Sequence, residues 1–188
     1  MVRSGLTSEL SIMHSLLERT ADGLQAIGKN FQQIIAEEGQ AIVDAKCREI
    51  VTEAKSSDEV RRCLPLIKDL TDLHTKYSQL ALKCFPLPPS PAPRHHTFRE
   101  AIDEAFKSFL STNVGGFGMP ELLAYYCDDL IRKSKATNTE LERELDKLVK
   151  LFSYLEDKDL FHESYRRFLS KRLLKEAPKS GARGSNAR

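Results

Sequence analysis

The sequence predicts an all-α chain: a stack of about seven amphipathic helices that ends in a disordered tail. Three observations predict it. Apolar residues recur at three- and four-residue spacing over most of the 188 residues. No stretch alternates apolar and polar as a half-buried strand would. The glycines and prolines fall mainly between the periodic stretches, as links from one helix to the next.

The first run extends from Thr7 to about Lys55 and carries Leu10, Met13, Leu16, Leu17, Leu24, Ile27, Phe31, Ile34, Ile35, Ile42, Val43 and Ile50. Gly23, Gly28 and Gly39 each cost about 1 kcal/mol relative to alanine inside a helix. A break is therefore expected between Thr20 and Gly23, giving a short helix and then a long one. Ser56-Ser57-Asp58 reads as a turn and N-cap. The next helix carries Leu66, Ile67, Leu70, Leu73, Tyr77, Leu80, Ala81 and Cys84. Pro65 is expected in its first turn, where a missing N–H costs nothing. Phe85 to Pro93 is too rich in proline for a helix and is expected as an exposed, extended loop reaching to His96.

Thr97 is placed as the cap of a helix carrying Phe98, Ile102, Ala105, Phe106, Phe109 and Leu110. Gly115-Gly116-Phe117-Gly118 ends that unit. Another helix opens at Met119-Pro120-Glu121, with Leu122, Leu123, Tyr126, Leu130 and Ile131 on its apolar side. A further one opens at Asn138-Thr139-Glu140, with Leu141, Leu145, Leu148, Val149, Phe152 and Leu155 as its stripe. The last carries Phe161, Tyr165, Phe168, Leu169 and Leu173. From Ala177 onward nothing remains to bury, so a disordered basic tail is expected. The organisation read from these signals is a helical bundle over 1–134, a helical extension over 135–176 and the tail over 177–188.

Composition narrows the function. Charged residues form 30% of the chain and the formal net charge is only +2, too balanced for the broad basic field of a nucleic-acid binder. The basic residues Lys171, Arg172, Lys175, Lys179, Arg183 and Arg188 are a local excess without interleaved aromatics, so nucleic acid is not an expected partner. No run reaches the roughly 18 apolar residues of a membrane span, so no membrane association is expected. Cys47, Cys63, Cys84 and Cys127 form no C-x-x-C pair and read as reduced thiols. Neither His14, His74, the His95-His96 pair nor His162 has metal-ligand spacing, and no cofactor or metal is expected. The Gly115 cluster lacks the spacing of a phosphate loop. The acidic pairs Asp128-Asp129 and Glu156-Asp157 are expected as solvated faces or caps. No nucleophile and base are paired in sequence, and no catalytic residue is assigned.

Three ordered blocks resemble one family. Met119-Pro120-Glu121-Leu122-Leu123-Ala124-Tyr125-Tyr126-Cys127-Asp128-Asp129-Leu130-Ile131-Arg132-Lys133-Ser134 is similar to the S-P-E-L-L-A-x-Y-C-D-x-L-L-x-K-S helix of cullins, nearest the cullin-1 type. Leu148 to Phe161 is similar to the V-x-x-F-x-Y-(I/L)-x-(D/E)-K-D-V-F segment, and Tyr165 to Leu174 to the Y-x-x-x-L-A-K-R-L-L signature. A weaker likeness covers Met13 to Leu24 and Asp72 to Tyr77.

The resemblance implies the third cullin repeat and the start of the cullin homology region. It further implies a non-catalytic scaffold of cullin-RING ubiquitin ligases. Its partners would be ligase subunits or cullin regulators, and its setting a cytoplasmic or nuclear ligase complex. The alternative is a stand-alone helical interaction module outside the ubiquitin pathway. The residues it carries over as motif and packing positions are Pro120, Glu121, Leu122, Leu123, Tyr126, Asp128, Phe152, Lys158, Asp159, Phe161, Tyr165, Leu169, Lys171, Arg172 and Leu173. The RING-docking and neddylation regions of the family are expected to be missing from this chain. The face of the last helix that they would cover, including Phe161, Phe168 and Leu173, is expected to be exposed and open to self-association.

Overall fold

The computed structural model describes residues 7–17, 19–20, 22–52, 59–84, 97–133 and 138–180. They form α1 (Thr7–Leu17), α2 (Gly23–Thr52), α3 (Glu59–Cys84), α4 (Thr97–Leu110), α5 (Met119–Lys133), α6 (Asn138–Ser153) and α7 (Lys158–Ser180). The seven helices expected from periodicity are therefore present. The break before Gly23 and the starts at Met119-Pro120 and Asn138 fall where the sequence places them. The Ser56-Ser57-Asp58 turn, the proline-rich segment with His95-His96, and the tail from residue 181 lie outside the described residues.

α3 is the hub, packing against α1, α2, α4, α5 and α6. Cys63, Leu66, Ile67, Leu70, Leu73, Tyr77, Leu80 and Cys84 are all buried along it, a set spaced to serve several neighbours at once. α2 lies most closely along α4. Gly39 makes that approach possible, because a Cβ there would stand 2.3 Å from Phe109 Cε1. The glycine that weakens the isolated helix thus allows the packed one. Aromatic contacts extend through the bundle: Phe31 of α2 meets Tyr77 of α3 edge-on at 5.6 Å and Phe98 of α4 edge-on at 5.7 Å between ring centroids, and within α4 Phe106 lies tilted against Phe109 at 4.9 Å.

Gly115 and Gly116 both have positive φ, 61° and 83°. They form a two-residue reverse turn closed by reciprocal backbone hydrogen bonds between Val114 and Phe117. This turn reverses the chain from α4 into α5. Among the described residues it contains the one bridged extended pair.

Three local expectations are corrected. Pro65 lies inside α3, not in its first turn. Cys63 and Leu64 are buried, which draws the helix start back to Glu59. The ring of Pro65 is on the exposed side of the helix, so it is accommodated without entering the packed core. Val149 is 59% exposed, while Leu151 takes the buried place beside Leu148 and Leu155. A stripe of 3.6-residue period cannot bury both 148 and 149 and also reach 155. Finally, α7 continues past Glu176 to Ser180, since a helix once begun extends at low cost.

Candidate functional site

Among the described residues α5 is the helix that packs extensively on α7, and it also touches α3 and α6. It is the coupling between the bundle and the final helix. Leu122 and Leu123 point into the core and are fully buried, with Met119 and Ala124 beside them. Pro120 is accommodated in the first turn, where its N–H is not needed, and Glu121 is exposed at the positive end of the helix dipole. Tyr126 is half-buried, and burial, then the nearby carboxylates of Glu144, Asp72 and Asp129, push its hydroxyl pKa upward.

Asp128 departs from the expectation of a solvated acid. Its side chain is 7% exposed, and it accepts from Arg132 Nε at 2.7 Å on its own helix and from Arg172 Nη1 at 3.2 Å on α7. A buried carboxylate without such partners would cost several kcal/mol, of the order seen when one member of a buried pair is removed. The Arg172 bond is directional and joins residues 44 apart in sequence. Cys127 sits beside this pair. Burial raises its thiol pKa first, the Asp128 charge raises it further, and Arg172 opposes both. The thiol is thereby held protonated, a poor nucleophile.

Elsewhere along α7 the contacts are aromatic. Tyr125 meets Phe168 edge-on at 5.2 Å. Phe152 meets Phe161 at 4.8 Å, Phe161 stacks on Tyr165 at 5.9 Å, and Lys158 Nζ lies 6.0 Å above the Phe152 ring. Phe161 and Phe168 are therefore engaged and only half-exposed, not the open strip expected. The exposed apolar residues of α7 are Leu160, Leu173 and Leu174. Asp159 and Lys171 face solvent, and Leu169 is intermediate. An open groove of about 530 Å³ runs along α7, lined by His162, Glu163, Tyr165, Arg166 and Leu169. Its ionisable groups lie on one exposed helix surface and do not converge on a reaction centre.

A second polar cluster was not singled out by sequence. Tyr154, just after α6, donates its hydroxyl to Asp103 Oδ1 of α4 at 2.9 Å. Its oxygen then accepts from His74 Nε2 of α3 at 3.0 Å. His74 Nδ1 faces Ser78 Oγ at 3.5 Å. Desolvation lowers the His74 pKa, with Asp103 opposing that shift and Lys150 reinforcing it. Burial and the bond to Asp103 push the Tyr154 pKa up. A neutral histidine donating from Nε2 and a protonated phenol fit each other. Two sequence signals touched this cluster, Tyr154 within the second family-like block and His74 within the weaker likeness over Asp72 to Tyr77, but nothing local joined them across 80 residues.

Among the described residues there is no group of three or more metal-capable side chains, and no helix is long and apolar enough to cross a membrane.

Helices that each bury their apolar sides on neighbours, passing from α1 through α3 and α5 to α7, define a helical scaffold of the α-solenoid class. The chain belongs to the cullin family: residues 1–182 match the family model described as the cullin alpha solenoid domain. It is similar to Cullin-2 of Arabidopsis thaliana, 32% identical over 179 residues, and to Cullin-1 of Oryza sativa subsp. japonica, 32% over 182 residues; both alignments cover 93% of this chain. Cullin-1 of Caenorhabditis elegans is 31% identical over 189 residues, covering 95% of the chain. The chain spans 22 to 23% of the length of these curated relatives.

Proposed function

We propose that this chain is a scaffold element of the cullin-RING ubiquitin ligase type, contributing a fixed direction and distance instead of bond-making chemistry. The observation that carries the reading is the buried Asp128 held between Arg132 and Arg172. It joins a fully packed bundle to a long helix through a contact with preferred geometry. A scaffold of this kind works by holding two partners near each other, which raises their effective concentration at a site elsewhere. Membership of the cullin family supports the same reading. Its partners are ligase subunits or cullin regulators, and its setting is a cytoplasmic or nuclear ligase complex.

The test is quantitative affinity capture of the tagged chain from cells. Enrichment of RING subunits, substrate adaptors or cullin regulators is the expected result. Reproducible enrichment of unrelated proteins alone would overturn the reading in favour of a stand-alone interaction module.

A further inference from the structure

α7 leaves the bundle through a very short connection. α6 ends at Ser153 and α7 begins at Lys158. The intervening chain is held by tight backbone bonds, from Tyr154 N to Leu151 O and from Leu155 N to Phe152 O. Leu155 is buried at 6% exposure. Tyr154 stands at the head of this connection and reaches back to both α3 and α4 through one hydroxyl group. Its ring is tilted against Phe106 at 5.6 Å and His74 at 5.7 Å. The connection is thus pinned at its first residue to two helices of the main bundle, while α7 is pinned further along by Arg172 to α5.

Two separated fixed points define the direction of a rod, whereas one leaves it free to swing. α7 has 23 residues, about 35 Å at 1.5 Å per residue, so a swing of roughly 10° at its base would carry its far end about 6 Å. Resting on the scaffold reading above, we propose that Tyr154 is a positioning residue: its hydroxyl bridge to His74 and Asp103 sets the angle at which α7 leaves the bundle. In this role Tyr154 acts through the path of the backbone. The contacts of its ring keep it half-buried; the two hydrogen bonds decide where along α3 and α4 it sits.

The experiment is a distance distribution by pulsed electron spin resonance on the whole chain, with bio-orthogonal labels at Asn30 of α2 and Ser170 of α7, both exposed. The unsubstituted chain is expected to give one narrow distribution. Tyr154→Phe keeps the ring and removes the bridge, and should broaden the distribution about twofold or shift its centre. Asp103→Ala, which removes the acceptor from a half-exposed site, should do the same if Tyr154→Phe fails to fold. Ile35→Val, a core change of comparable or greater cost to stability, should leave the distribution unchanged. An unaltered distribution in both Tyr154→Phe and Asp103→Ala would overturn the proposal, whatever happens to the melting temperature. Arg172→Ala separates the two readings. If it broadens the distribution while the Tyr154 bridge variants do not, the α5–α7 joint stands and Tyr154 has no positioning role. If none of them does, the idea of a fixed joint fails as well.

Discussion

The α2–α3–α4 bundle and the α5–α7 joint are built by opposite means. In the bundle Phe31, Tyr77, Phe106 and Phe109 are essentially inaccessible and packed ring to ring. At the joint the aromatic pair Tyr125 and Phe168 is only half-buried, and the deeply placed group is the carboxylate of Asp128. Apolar burial is strong and non-directional, so it stabilises the bundle without demanding one angle. Hydrogen-bonded ion pairs add less net stability but tolerate little misalignment. The bundle supplies stability; the joint supplies direction.

The comparison breaks most visibly in the bundle. Phe106→Ala removes a ring that contacts His74, Phe109 and Tyr154, and should cost about 3–5 kcal/mol in denaturant titration. A loss under about 1 kcal/mol would mean that the bundle is not packed as described. Asp128→Ala should cost less, about 1–3 kcal/mol, because Arg132 is 43% exposed and can return to water while Arg172 cannot do so as freely. Its distinctive result is selective: amide exchange in α7 should accelerate far more than in α3. Uniform acceleration would place Asp128 among ordinary core residues.

Much of this was legible from sequence. The starts of α5 and α6 carry strong local signals, Pro120 in a first turn and the polar Asn138-Thr139-Glu140 entry, and both fall where expected. Pro65 was misplaced because the burial of Cys63 and Leu64 against other helices is a long-range fact. Asp128 resembled a solvated acid because an i,i+4 neighbour such as Arg132 is what surface helices display, and the partner that buries it is on another helix. The Tyr154–His74 bond spans 80 residues, beyond any local pattern. Sequence periodicity reveals which side of a helix is buried, but not which polar group crosses to its neighbour.

Two smaller effects sharpen the contrast. The folded chain holds the His74 pKa below its ordinary value, chiefly by desolvation. Below about pH 6.5 the unfolded chain therefore binds a proton that the folded chain resists, so stability falls as pH drops from there toward the lowered folded pKa. Above that window the contribution is fully present. His74→Gln should flatten this part of the stability profile, and an unchanged slope would show that another group governs it. Smallest of all, Leu174→Gln at a site 75% exposed should alter stability by about 0.5 kcal/mol or less in thermal melts. A larger loss would mean that another surface covers this end of α7.

The most direct test of a fixed joint is a set of backbone residual dipolar couplings for the whole chain in weakly aligning medium. Couplings from α2, α3 and α4 together with those from α7 should fit a single alignment tensor at the angle seen here. Two distinct tensors, or couplings in α7 averaged toward zero, would contradict the account.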